Sequence, residues 1–336
     1  MAVTTGTTGV DATPATSLYN LLAAAMTANG HWAEESDSPV SAANAGTTDI
    51  VRVWKCTGGA ANFFVFIEVD NTNLRLRIRL AETWNPVNHR LQQPAGGGTA
   101  TTTTDATNVT PTANGTVTDA DQTIGSTNPT VSYVEVTVLG STYNYLYEVR
   151  DNLITVATRV SGANRYCVAG CFTSLITALS DTKPLVLLGH QTNPGLSGQA
   201  SGAGGNANGG RFTRIPGFGA SSLVGAFCCI AVPLLLNMFN VGGSGASTDF
   251  FSAIGGATSN PWYTNHLVGP VILHGSQNNV IGSRRGLRGR LPDFISGYYT
   301  NEPAVVTDTV TVGGVTYYPL GRCYFGMQQC YLAIKG

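Results

Sequence analysis

The sequence predicts a mainly β chain: antiparallel sheets arranged as a sandwich or barrel, one or few short helices, and long Gly/Thr-rich loops. Three observations lead there. Short runs rich in Val, Ile, Thr, Tyr and Phe recur between Gly, Asn and Asp punctuation, the pattern of strands and turns. A single stretch near the start has helical periodicity. Heptads, repeats of 20–50 residues and strand–helix alternation are all missing from the pattern, which argues against coiled-coil fibres, solenoids and dinucleotide-binding enzymes. At 336 residues with 43% hydrophobic content, the chain has ample material for a core.

Taken in chain order, a Thr/Gly-rich arm leads into the helix. Ser17 is placed to cap it, Leu18, Leu21, Leu22, Ala25 and Met26 share one face, and Asn29-Gly30 closes it. Residues 1–30 therefore read as an N-terminal arm and short helix, and 31–336 as a β-rich body. The arm docks either on a neighbouring subunit or on the chain's own sheet. The run FFVFIEVDNTNLRLRIRL, residues 63–80, reads as a hairpin around Asp70-Asn71-Thr72-Asn73. With Val69 opposite Leu74, one face is wholly apolar. The other pairs Glu68 with Arg75, Phe66 with Arg77 and Phe64 with Arg79, one ion pair and two cation–π contacts.

From 95 to 128 the chain is almost entirely Gly, Thr, Ala, Asn and Asp, which predicts a long surface loop or extended arm. Three strand-like runs follow, Val131–Leu139, Thr142–Val149 and Leu153–Val160, an expected meander. In the second, Tyr143, Tyr145 and Tyr147 lie on one face, a candidate glycan-stacking platform or a half-buried sheet surface. Leu185–Leu188 reads as a buried strand, and 189–219 as an irregular glycine-rich loop. The apolar run 223–236 is too short for a membrane span and contains Pro233, so it reads as core. Near the end, Thr309–Val312, Gly313-Gly314 and Val315–Tyr318 form a compact hairpin.

Charge is scarce: 11% of residues, with a formal net charge of -1. Average globular chains carry about 25%. A weakly charged surface tends to associate, so neighbours or Ser, Thr and Asn must cover it. A secreted β-protein would have a similar composition. The first fifteen residues, however, show neither a basic nor an apolar signal-peptide region, which weighs against export. Seven cysteines leave at least one unpaired within the chain, and buried free thiols are the expectation, as suits a reducing cytoplasm.

Motifs for phosphate, dinucleotide or zinc-protease chemistry are not present in the sequence, and the five histidines lack metal-ligand spacing. The expectation is therefore no enzyme, no cofactor and no metal. The strongest charge feature is Arg284, Arg285, Arg288 and Arg290, four arginines in seven residues of a chain with three lysines. Such a cluster serves phosphate or a protein interface. The chain as a whole is not basic, so the interface reading is preferred and nucleic acid is not an expected partner.

The Thr/Gly-rich start of the chain, the segment SLYNLLAAAMTANG, the glycine loops and above all GSRRGLRGRLPDFISGYY together resemble virion structural proteins of tailed bacteriophages, of the tail, baseplate or neck type. In those proteins a similar R-G-R-L-P stretch precedes an aromatic turn, here Asp293 to Tyr299. The resemblance implies a structural subunit of the virion, made in the host bacterial cytoplasm, whose partners are copies of itself and other virion proteins. A capsid decoration protein and a carbohydrate-binding host-recognition module, with a host-surface glycan as partner, are the alternatives. No membrane is implied.

Overall fold

The computed structural model describes residues 2–35, 50–59, 62–81, 83–85, 90–92, 109–111, 117–119, 122–123, 134–160, 163–174, 185–190, 210–213, 228–231, 268–275, 286–298, 308–325 and 328–336. These residues form one helix and antiparallel sheets, with no closed barrel among the described residues, so the chain is mainly β.

The first sheet runs in the order Thr4–Thr7, Asn144–Val149, Leu153–Val160, Ala163–Cys171, Leu185–His190, Gly210–Thr213. A second runs Val134–Thr137, Arg75–Ala81, Phe63–Asp70, Ile50–Cys56, Trp32–Glu34. The C-terminal sheet is built on the ladder Cys228–Ala231, Val268–Gly275, Gly286–Tyr298, Gln328–Lys335, Val315–Phe325, Val310–Val312. A meander of short strands, from Thr83–Asn85 to Gln122–Thr123, makes the remaining sheet. Its last three strands, Val109–Pro111, Val117–Asp119 and Gln122–Thr123, are the described residues of the 95–128 segment; the rest of that expected loop lies outside the described residues.

Alternation along the strands builds the core between the first two sheets. One face of the first sheet presents Tyr143, Val149, Ile154, Val156, Cys167 and Ala169, and the second sheet answers with Val65, Ile67, Leu76, Ile78, Val134 and Val136. The opposite face of the first sheet, with Leu146, Thr155, Ala157 and Tyr166, meets the C-terminal sheet, where Gly321 lies against Tyr166 and Asn164. Leu153–Val160 is thus covered on both faces, which explains why its apolar residues do not alternate with polar ones as in a half-exposed strand.

The helix spans Pro14–Asn29, starting three residues before the predicted cap. Pro14 supplies a preset φ at the first helical position, and the Ala/Leu-rich interior has high helix propensity. Ser17 does not cap the helix. Asn71, from the hairpin turn, accepts the Ala15 and Thr16 N–H groups with its Oδ1 at 3.0 and 3.2 Å. Asp11 accepts from the Thr13 N–H at 2.8 Å and from the Ser17 hydroxyl. Leu18, Leu22 and Met26 are buried as expected, joined by Ala15 and Tyr19, and Gly30 closes the helix in the left-handed conformation. Of the two docking options for the arm, the structure takes the chain's own sheets: the helix lies in the central core and Thr4–Thr7 pairs with Asn144–Val149.

These hydrogen bonds hold the Asp11 carboxyl below its usual range, the Ser17 hydroxyl contributing most. Stability linked to Asp11 is therefore complete above the ordinary carboxylate value and declines as pH falls through the lowered one. Asp11→Ala is expected to lower the urea midpoint at neutral pH, and to lose that difference in acid.

The hairpin forms with its register displaced by two residues. Asp70 pairs with Arg75, Glu68 with Arg77, Phe66 with Arg79 and Phe64 with Ala81. Asp70 draws the turn one residue on, accepting from the Asn73 N–H at 2.8 Å and from Arg75 Nε at 2.9 Å, while Leu74 leaves the ladder at φ 56°. A shift of two keeps every side chain on its face. The apolar face is as predicted, but the Phe66–Arg77 and Phe64–Arg79 cation–π pairs are not cross-strand neighbours.

Of the three runs expected as a meander, only the last two are adjacent. Val134–Thr137 pairs instead with Arg75–Ala81, and the chain crosses between sheets at Gly140-Ser141. The C-terminal hairpin forms as predicted, Val312 opposite Val315 across Gly313-Gly314, both at positive φ. Asp293 to Tyr298 is not a turn but continues the Gly286–Tyr298 strand. Within 189–219 the described residues are Gly189-His190, the end of one strand, and the Gly210–Thr213 strand that pairs with it; within 223–236 they are the Cys228–Ala231 strand.

Candidate functional site

The Arg150–Asn152 turn between two strands of the first sheet is where the layers converge. Trp32 Nε1, on the edge of the second sheet, donates to the Arg150 carbonyl at 2.7 Å. Asn29 and His31, at the end of the helix, reach the Asp151 carboxylate at 3.2 and 3.9 Å. Cys56 donates its S–H to the Asp151 carbonyl at 3.1 Å. Gly58 comes so close that a Cβ there would lie 1.8 Å from the Asp151 carbonyl oxygen, so this approach requires glycine.

The fourth segment comes from the C-terminal sheet. Val271 pairs with Leu291 but Pro270 pairs with Ile295, so Pro292, Asp293 and Phe294 bulge out of that ladder. Asp293 there takes φ 64°. The bulge re-aims the strand toward Arg150, a recurrent use of such irregularities. Arg150 Nη1 donates to the Pro292 carbonyl at 3.1 Å and to Asp293 Oδ2 at 3.2 Å. Its Nε donates to Glu148 Oε2 at 2.8 Å, and its guanidinium stands 5.5 Å from the Phe294 ring centroid. Planarity and several fixed donors suit arginine, rather than lysine, to this junction.

Beside the clasp lies an open polar cleft of about 490 Å³ lined by Glu148, Arg150, Asp151, Asn152, Asp293, Lys335 and Gly336. Glu148 forms its floor and is 3% exposed. Burial raises its carboxyl above the ordinary range, outweighing the opposing pull of Arg150. The folded state therefore holds the Glu148 proton to higher pH than the unfolded chain, so stability falls as pH rises from the ordinary glutamate value, about 4.3, through the raised one. Glu148→Gln is expected to flatten that decline, as measured by urea midpoints at successive pH values. Chemically, the arrangement is a clasp: a buried acid and a bulged acid share one guanidinium and lock two sheets together.

The tyrosines proposed for glycan stacking line the interior side of their strand. Tyr143 is 4% exposed, and burial raises its hydroxyl well above the usual value. Tyr145 and Tyr147 stack on each other, with centroids 6.2 Å apart, and are half-buried against the core that contains the helix. Arg290 is exposed on a strand, opposite Thr173 on one side and Ile272 on the other. Arg288 lies on the same strand. Arg284 and Arg285 lie outside the described residues.

Sequence reasoning missed Glu148, Arg150 and Asp293. The Asp151-Asn152 turn was visible as punctuation, but Arg150 meets a partner 143 residues away.

Cys56, Cys167 and Cys171 are buried and in no disulfide, as expected. Burial lifts the Cys56 thiol to about 11 and raises the Cys167 thiol well above its ordinary value, so both stay protonated. Among the described residues no group of three or more His, Cys, Asp or Glu is placed to hold a metal. No helix among them is long and apolar enough to cross a membrane.

No protein-family model matches the chain, and no curated protein is significantly similar to it.

Proposed function

We propose that the chain is a structural subunit of a tailed-phage virion, of the tail, baseplate or neck, working through inter-subunit contacts rather than catalysis. One observation carries this reading: the scarce charge is spent inside. Arg75 bridges Asp70 and Glu135 at 2.9 and 3.0 Å, and Arg77 bridges Glu68 and Glu135 at 3.0 and 3.3 Å. With Glu148 and Arg150, that makes seven charged side chains exposed by at most 19%. The surface is left still poorer in charge than composition suggests, and such surfaces associate.

The assignment to a phage particle is drawn from the resemblance carried by GSRRGLRGRLPDFISGYY. On that reading the chain is made in the bacterial cytoplasm and joins the virion among copies of itself and other virion proteins. Mass spectrometry and electron microscopy of purified particles from the source organism test it. The chain is expected at stoichiometric abundance in the particle; its absence from the particles would refute the assignment.

A further inference from the structure

We propose that the N-terminal strand Thr4–Thr7 is exchangeable, leaving its own sheet to pair with Asn144–Val149 of a second copy of this chain.

The strand occupies the edge of the first sheet in the register Thr4–Tyr147, Thr5–Leu146, Gly6–Tyr145 and Thr7–Asn144. What holds it is almost wholly polar. Besides the ladder, the Thr8 N–H donates to the Tyr143 carbonyl at 2.9 Å, and the Thr7 hydroxyl to Asn144 Oδ1 at 2.7 Å. Thr4, Thr5 and Thr7 are exposed, and Gly6 is only partly covered. Net hydrogen-bond energies in water are modest, so this strand is attached far less firmly than the apolar helix that follows.

The connection allows it to leave. Helix and strand are joined through Thr8-Gly9-Val10-Asp11, and a Cβ at Gly9 would meet nothing. Asp11 is anchored by its N–H to the Gly140 carbonyl at 2.9 Å, so the helix stays seated while the segment before it swings. Val10 is 88% exposed, the one exposed large hydrophobic among the described residues.

A second copy is the partner that fits. It offers the same strand edge in the same register, so each bond broken within the chain is remade between chains. Residues 1–10 carry no charged side chain, so two arms can lie side by side without repulsion. This proposal rests on the assembly reading, but supplies a specific contact.

The test uses Thr7→Cys and Asn144→Cys. Directly opposed residues on antiparallel strands have Cα atoms about 4.5–5.5 Å apart, within disulfide range. The double variant should close an intrachain disulfide with glutathione disulfide as oxidant, releasing two glutathione thiols. An affinity-tagged T7C chain is then mixed with an untagged N144C chain at high concentration before oxidation. A tagged–untagged dimer whose linkage maps to positions 7 and 144 is expected, and neither variant mixed with the unmodified chain should give it. The proposal is overturned if the double variant closes but the mixture gives no 7–144 linkage. It is equally overturned if the double variant does not close, because the strand then does not occupy this edge. A chain that self-associates without the 7–144 linkage retains the assembly reading and loses this one.

Discussion

Replacing Arg77 with alanine is expected to destabilise the chain by about 3–5 kcal/mol, the range for removing one partner of a buried ion pair. Arg77 is 6% exposed, and its guanidinium is shared between Glu68 and Glu135 on the two strands flanking its own. Losing it removes the guanidinium beside Glu68 in a poorly solvated layer and leaves Glu135 with Arg75. The loss should appear as a lower urea midpoint with little change in slope. Arg77→Lys keeps the charge but not the planar fork that reaches both acids, so it is expected to fall between the two. Equal stability of wild type and Arg77→Ala would mean that this face of the hairpin is solvated rather than sealed.

Leu22→Ala is expected to cost about 2–5 kcal/mol, the range for truncating a fully buried leucine. Leu22 is 0% exposed in the core shared by the helix and the two sheets. The neighbouring Leu21 is only partly buried, so Leu21→Ala should cost less. The pair of variants separates two views of the first thirty residues. A helix that merely decorates the body would leave both changes within about 0.5 kcal/mol, as surface substitutions do. The urea midpoints of the two variants decide between them.

The sequence made the fold class and the faces legible, and left the registers and long-range pairings unread. Period-two alternation in 63–80 identifies which residues face the core, but a displacement by two leaves that pattern unchanged. What set the register was local polar chemistry at Asp70, Asn73 and Leu74. The same limit applies to Val134–Thr137, whose β-character was visible although its partner, Arg75–Ala81, lies some sixty residues earlier. The start of the helix escaped because two of its first N–H groups are satisfied by Asn71, on a distant turn. The clasp at Arg150 was unreadable for the same reason. No local pattern announces a bulge at Pro292–Phe294, and only the bulge brings Asp293 within reach.

A weakly charged surface that neighbours are proposed to cover should self-associate when bare. Sedimentation velocity of the purified 35.0 kDa chain over a range of concentrations tests it most directly. The weight-average mass is expected to climb above the monomer as concentration rises, and to stay there in added salt because the contacts are not charge-driven. A single monomeric species at every concentration, in low and high salt alike, would contradict it.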